Sequence, residues 1–312
     1  MGSIAGKSGR GEPSDCPRGS KPQAAAGERR LAAPGLYLVA TPIGNLGDIT
    51  LRALELLRSV EIVACEDTRV TGKLLAAHGI SARMVPYHEH NAARARPQLI
   101  AALARGGSIA LVSDAGSPLV SDPGHKLVRE AVALGFPVSA APGPSAVLAA
   151  LQLSGLPSER FLFAGFLPAK TAARRKALAE LAGIAATLVL FETAPRLVAS
   201  LADMAELLGA RQAAVARELT KLYEEVRRAP LAELVLHYRE AGPPKGELVI
   251  VVGPPAAEAL PDEAMLDRML AAALSEASLR DAVERVTAAS GLPRRRVYAR
   301  ALALAKVPRP PA

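Results

Sequence analysis

From residue 35 onward, short apolar runs alternate with small-residue loops and amphipathic stretches. Residues 36–40, 60–64, 84–87, 109–112 and 137–140 are mostly aliphatic and bounded by turn signals, the form of buried strands. Between them apolar positions recur at helical spacing. Leu51, Leu54 and Leu57 follow Thr50, a natural N-cap. A second run covers 93–104, and a third covers 126–134 and stops at Gly135. Strand, loop and helix repeated in this way predict a mostly parallel α/β sheet.

The pattern changes at Leu153-Ser-Gly-Leu-Pro157, which predicts a domain boundary. Beyond it, 161–166, 187–191, 213–216, 223–228 and 246–252 read as strands, but helices alternate with them less regularly, so a mixed sheet is expected. Pro254, Pro255 and Pro261 mark a linker. Residues 278–289 then place Leu279, Val283 and Val286 on one helical face behind Ser278. Gly291-Leu-Pro293 turns the chain, and a second helix opens on Arg294, Arg295 and Arg296. Helix, Gly-containing turn and basic helix is the sequence form of a helix-turn-helix. A solvated helical hairpin has the same pattern. Residues 1–34 carry no apolar periodicity and are rich in Gly, Ser, Pro, Ala and charge, so they are expected to be a disordered extension or the result of a start codon set too early. The predicted division is 1–34, 35–152, 153–255 and 256–312.

Charge sharpens this division. The 312 residues carry a net +8, of which +3 lies in 1–33 and +6 in 279–312, leaving the central part at −1. A basic terminal appendage on a near-neutral body favours contact with a polyanion through that appendage. Only 3% of residues are aromatic and none is Trp, so the core must be aliphatic. Two cysteines, Cys16 and Cys65, give no disulfide framework and fit a reducing cytoplasm. No apolar run approaches the ~18 residues of a membrane span, and the N-terminus lacks the apolar core of a secretory signal.

The candidate chemistry sits at strand ends. Ser113-Asp-Ala-Gly-Ser-Pro118 follows the 109–112 strand, where ligands bind in parallel α/β folds. A carboxylate, hydroxyls and a Gly suit close approach to a small polar ligand; a capped strand–helix turn has the same residues. Cys65-Glu-Asp-Thr-Arg69 follows the second strand and reads as a charged site or as a capped helix start with an Asp–Arg pair. His88-Glu-His-Asn91 follows the third; its spacing is unlike that of metal-binding motifs, so polar substrate contact is the reading and no metal is expected. The first loop, Thr41 to Asp48, is neither GxGxxG nor a phosphate-binding P-loop.

The order of these loops is more specific than any one of them. TPIGNLGD at 41–48, CEDTR at 65–69, HEHN at 88–91, VSDAGSP at 112–118, PGPSA at 142–146, GFLP at 165–168 and KGELV at 245–249 follow one another. With this order the chain resembles the tetrapyrrole-methylase superfamily of S-adenosylmethionine (SAM) enzymes from about Gly35 to Lys306. Within it, CEDTR and HEHN resemble the branch that methylates a cytidine ribose 2′-hydroxyl in bacterial small-subunit (16S) rRNA. The superfamily often has Gly-Asp-Pro where this chain has Ser113-Asp114-Ala115, and the rRNA branch shares the Asp-Ala-Gly form.

The resemblance implies two α/β domains with SAM in the cleft between them, plus a small helix-turn-helix-like module. It also implies a cytoplasmic homodimer acting on small-subunit rRNA or an assembling subunit. Carried onto this chain, the cofactor positions are Pro42, Gly44, Asp114, Ala115, Gly116, Ser117, Ser145 and Ala146 from the first domain. Phe191, Glu192, Ala216, Arg217, Gly246, Glu247 and Leu248 come from the second. A ribose hydroxyl needs its proton removed or polarised as it attacks, so Asp114, Glu66 and Asp67 are the catalytic candidates, with His90 as another base. Arg69, His90, Asn91, Lys170, Arg196 and Arg294–Arg296 are candidate RNA contacts. Two rivals make different demands. A methylase of a small tetrapyrrole needs no basic C-terminal module. A helix-turn-helix regulator with a metabolite-sensing α/β part needs no charged groups gathered at several strand ends.

Overall fold

The computed structural model describes residues 31–256 and 261–305. Cys16, and the extension expected over 1–34 up to residue 30, lie outside the described residues.

Five parallel strands form the first sheet: β1 (Gly35–Val39), β2 (Ile62–Cys65), β3 (Met84–Pro86), β4 (Ser108–Val112) and β5 (Val138–Ala141), in the order β3-β2-β4-β1-β5. The central β4 is buried at all five positions, which explains its unbroken apolar run. One face is covered by α1 (Leu51–Ser59) and α2 (Thr68–Ala77), with Leu57, Leu74 and Leu75 against Val39, Val63 and Val112. The other is covered by α3 (Ala92–Ala104) and α4 (His125–Ala133), with Leu99 and Leu127 against Leu36, Ile109 and Leu111. Parallel strands put all five carboxyl ends on one edge, and every loop flagged in the first half of the sequence starts there.

Thr50 does cap α1: its hydroxyl accepts from the Ala53 N–H at 3.1 Å. Thr50→Ala removes that acceptor and is expected to lower stability by about 1 kcal/mol, read as a fall in the denaturant midpoint with an unchanged slope.

The helix after β5, α5 (Ala146–Ser154), leaves the first sheet and packs on the second. That sheet comprises β6 (Phe161–Phe166), β7 (Thr187–Thr193), β8 (Gln212–Arg217), β9 (Glu225–Pro230) and β10 (Glu247–Val252), in the order β6-β7-β10-β8-β9. Only β6 and β7 are parallel, so the sheet is mixed as the irregular pattern predicts. Val147, Ala150 and Leu151 of α5 meet Val189, Ala214, Ala216 and Val249 on one face. The other face carries α6 (Thr171–Ala182), α7 (Leu197–Leu208) and α8 (Leu231–Ala241).

Between the linker prolines, which end at Pro261, and the helix expected from 278 lies a helix that the pattern reading missed. α9 (Glu263–Glu276) is capped by Asp262, whose carboxylate accepts from the Met265 N–H at 2.7 Å. Its Leu266, Leu270 and Ala273 form a separate core with Val283 and Val286 of α10 (Leu279–Ser290) and Val297 and Ala301 of α11 (Arg294–Ala305). Gly291 joins α10 to α11 with φ of 66°. The module is therefore three helices rather than two. Among the described residues no helix is long and apolar enough to cross a membrane.

Candidate functional site

The loops after β1, β4 and β5 meet the edge of the second sheet around a cavity of about 530 Å³. That is within the range of roughly 300–1,000 Å³ of small-molecule sites. The first domain contributes Ile43, Ala115, Gly116, Ser117, Ser145 and Ala146. The second contributes Phe191, Glu192, Gly246, Glu247 and Leu248. Ten of the fifteen expected cofactor positions thus surround one space.

Local folding explains the shape. Thr41 and Gly116 exchange backbone hydrogen bonds at 2.9 and 3.0 Å, which fastens the loop after β1 to the loop after β4. The buried Thr41 hydroxyl donates to the Ser113 carbonyl at 3.1 Å. Gly116 holds φ at +80°, a region other residues enter at a cost. Ser145 caps α5, its hydroxyl accepting from the Leu148 N–H at 3.4 Å. Its hydroxyl therefore serves the helix while the residue lines the cavity.

The other five expected cofactor positions lie elsewhere. Pro42, Gly44 and Asp114 line an adjoining hollow with Thr41, Lys73 and Lys221. Ala216 and Arg217 line none of the hollows around the site. Ala216 is buried beneath α5. Arg217 donates from Nε to the Lys245 carbonyl at 2.8 Å and pairs with Glu225 at 3.4 Å. Their strand pairs with β10 at Leu248 and Val249, so they support the cavity wall from behind. Glu192 lines the cavity, but its buried carboxylate accepts from the Ser200 hydroxyl at 2.5 Å and the Thr193 N–H at 2.7 Å, and pairs with Arg196 at 3.2 Å.

A second hollow of about 480 Å³ lies at the ends of β2, β3 and β4, lined by Glu66, Asp67, Arg69, His88, His90 and Asp114. It sorts the three catalytic candidates. Asp67 caps α2, accepting from the Arg69 N–H at 2.7 Å, and its carboxylate is gripped by the Arg69 guanidinium at 2.6 Å. Those hydrogen bonds hold its carboxyl down at about 2, too acidic for a useful base near neutral pH. Asp114 accepts from the Asp67 N–H at 3.1 Å, yet burial pushes its carboxyl up. Glu66 is pushed up by burial and then by the charge of Asp114, against the opposing influence of His88. Asp114 and Glu66 are thus the two of the three whose environment suits proton transfer. Cys65 is buried, and burial raises its thiol, so it is a core group rather than a nucleophile.

The RNA candidates divide in the same way. Arg69 is exposed and stands with His90 at the rim of the acidic hollow. Asn91 holds the turn, accepting from the His88 N–H at 2.9 Å and donating to the Pro86 carbonyl at 2.9 Å. Lys170 is exposed at the start of α6, outside the hollows. Arg196 is spent on Glu192 and on the Leu167 carbonyl, which it reaches at 2.6 Å. Arg294, Arg295 and Arg296 are exposed in the first turn of α11.

Sequence reasoning passed over Val120, Ser121, Asp122, Phe166, the 193–195 segment and Leu219, all of which line the cavity. Asp122 had a signal, because it is a charged residue in the same loop that follows β4. Phe166 meets Phe191 edge to face at 5.4 Å, a pairing across two strands that no sequence spacing reveals.

Residues 35–235 match the family model described as tetrapyrrole (corrin/porphyrin) methylases. The chain belongs to the tetrapyrrole methylase family. Residues 258–305 match a second model, the RsmI C-terminal HTH domain. Among tetrapyrrole methylases, the chain is 54% identical over 277 residues to ribosomal RNA small subunit methyltransferase I of Mesorhizobium japonicum, covering 88% of this chain and 94% of that one. It is 55% identical over 272 residues to the protein of the same name from Erythrobacter litoralis, covering 87% and 96%. Its fold is that of uroporphyrin-III C-methyl transferase from Thermus thermophilus, solved in complex with S-adenyl homocysteine, at a TM-score of 0.50 and 20% identity, covering 70% of this chain and 97% of that one.

Proposed function

We propose that this chain transfers the methyl group of SAM to the 2′-hydroxyl of a cytidine in small-subunit (16S) rRNA. One observation carries the reading: a mostly apolar cavity between two α/β domains opens beside a hollow in which burial raises the carboxyls of Glu66 and Asp114. The cavity's residues fit SAM. Small residues from 115–117 and 145–146 leave room at one wall, Phe166 and Phe191 offer aromatic surface at another, and the neighbouring carboxylates suit a cationic sulfonium. Bound there, SAM supplies an electrophilic methyl group.

The chain's own residues then perform alignment and proton handling. Methyl transfer is an in-line displacement, so fixing the ribose against the cavity mouth supplies much of the acceleration. Asp114 and Glu66 accept hydrogen bonds from the ribose hydroxyls. Arg69 and His90 at the rim receive the adjoining phosphate. Arg294–Arg296 bind the RNA backbone at a distance, the helix N-terminus adding to their charge. The names of the relatives and the helix-turn-helix match support an rRNA substrate over a small tetrapyrrole or a purely regulatory role. An rRNA substrate also supports a cytoplasmic place of work, and the family resemblance supports a homodimer.

Single-turnover methylation tests the assignment of carboxylates. Asp114→Asn and Glu66→Gln are each expected to slow the transfer roughly 10²-fold, with SAM affinity retained. Asp67→Asn acts mainly on the α2 cap and is expected to slow it far less. Near-normal rates in both of the first two variants would remove the acidic hollow from the chemistry.

A further inference from the structure

The turn between β8 and β9 is bent against the preference of its residues. Glu218 and Thr220, neither of them glycine, adopt φ of 50° and 65°, a left-handed conformation that side chains disfavour. Strain of this kind persists where the surroundings over-determine it, and here they do. The Lys221 N–H donates to the Glu218 carbonyl at 3.0 Å, and the Thr220 N–H donates to the Glu224 carboxylate at 2.7 Å. What the bent turn places is the Lys221 side chain. Its ammonium donates to the Glu218 carboxylate at 2.9 Å and to the Glu247 carboxylate at 2.7 Å. Glu218 in turn accepts from the Glu247 N–H at 3.1 Å, while its own N–H donates to the Glu247 carbonyl at 3.0 Å. Glu247 opens β10 and lines the cofactor cavity.

The same side chain reaches the first domain. A Cβ on Gly44 would lie 2.5 Å from Lys221 Cγ, 2.8 Å from Lys221 Cε and 3.1 Å from the Leu219 carbonyl oxygen. Gly44 does not have a positive φ, so space alone excludes a side chain there, and the Lys221 stem fills that space. Gly44 follows Ile43, which lines the cavity and shares an apolar cluster with Leu219. On the other side, Gly246 holds φ at 99°, and a Cβ on it would run into the Glu218 carboxylate. One contact set therefore accounts for a glycine in TPIGNLGD and a glycine in KGELV. Gly44 admits the stem of Lys221, and Gly246 admits the carboxylate that holds its ammonium.

We propose that Lys221 is a positioning residue for methyl transfer. Its stem seats the loop after β1, and its ammonium fixes Glu247 at the head of β10, so one side chain sets the spacing of the cofactor walls contributed by the two domains. Both parts of the side chain are needed, the stem toward Gly44 and the charge toward Glu218 and Glu247. Partly exposed ion pairs add little to folding stability, so loss of Lys221 is read in ligand binding and rate rather than in unfolding. The affinity measurements below rest on SAM in the cavity alone; the rate measurement rests also on the function proposed above.

Three substitutions test this. Lys221→Met keeps a stem and removes the ammonium, Lys221→Ala removes both, and Gly44→Ala intrudes on the stem. The readouts are calorimetric affinity for SAM and for S-adenosylhomocysteine, the thermal midpoint, and single-turnover methylation, at saturating SAM, of small-subunit particles lacking the ribose methyl. Lys221→Met is expected to bind both ligands about tenfold more weakly and to transfer roughly 10²-fold more slowly, with the midpoint nearly unchanged. Gly44→Ala alone should weaken SAM binding by a similar factor. In the double variant Gly44→Ala/Lys221→Ala, SAM binding should be no weaker than in Gly44→Ala, because the stem that the new methyl group strikes is gone. Losses that multiply overturn the proposal, since the two residues then act separately, as they do if Lys221 touches substrate directly. Normal SAM affinity in Lys221→Met also overturns it. Should Gly44→Ala not fold, Lys221→Met decides alone on the same criterion. A chain that binds SAM but never methylates the particles refutes the proposed function, while the affinities still decide the role of Lys221.

Discussion

Gly116→Val is expected to weaken cofactor binding and to reduce methyl transfer by about 10³-fold, while the chain stays folded. The residue sits at φ of +80°, where a β-branched side chain is a genuine outlier. A Cβ there would already touch Ile43 Cγ2 at 3.4 Å, and the two branches of Val extend further among the cavity-lining residues. Relief requires the backbone to move, and its paired bonds to Thr41 at 2.9 and 3.0 Å transmit the movement to the loop after β1. Two of the three first-domain walls then shift together. A displacement of about 1 Å at a reacting centre costs about 10²-fold by itself, and loss of cofactor affinity adds to it. Calorimetry with SAM checks the binding, and the thermal midpoint separates it from unfolding. Normal SAM affinity in this variant would mean that the cofactor lies elsewhere.

Removing three charges from α11 should have the next largest effect, and on a different quantity. Arg294, Arg295 and Arg296 project from the first turn, exposed and outside the ion pairs that anchor the module. Arg300, one turn later, is held by Asp267 at 2.6 Å through two bonds and serves the packing of α11 on α9. If each of the three neutralises one phosphate, replacing all three by Ala reduces the slope of log affinity against log salt by about two to three. RNA affinity near 0.1 M salt then falls roughly 10²-fold. SAM affinity should not change, because the three residues line no part of the cavity. An unchanged salt slope would show that the module does not hold the backbone.

Much of the site is legible in the sequence because a parallel sheet converts order along the chain into place in space. Once the 36–40, 60–64, 84–87 and 109–112 runs are read as parallel strands, the residues that follow them must meet at one edge. Glu66, Arg69, His90 and Asp114 do so around a single hollow. What sequence leaves out are facts of geometry. The division of labour between Asp67 and Asp114 depends on the Arg69 guanidinium folding back 2.6 Å from one and not the other. The roles of Ala216 and Arg217 depend on which side of β8 faces α5. Asp122 shares a loop with Asp114, but only the left-handed turns at Leu119 and Ser121 bring it to the cavity. α9 was legible: Leu266, Leu270 and Ala273 keep helical spacing behind Asp262, and the prolines before them drew attention to a linker instead.

The central claim is methyl transfer from SAM to a ribose hydroxyl of small-subunit rRNA. Incubation with methyl-labelled SAM and small-subunit particles lacking ribose methylation, followed by nuclease mapping of the label, tests it most directly. Label at one cytidine, carried on the ribose and resisting alkaline cleavage of the following phosphodiester, is the predicted result. Label on a base, or none on RNA, would contradict it.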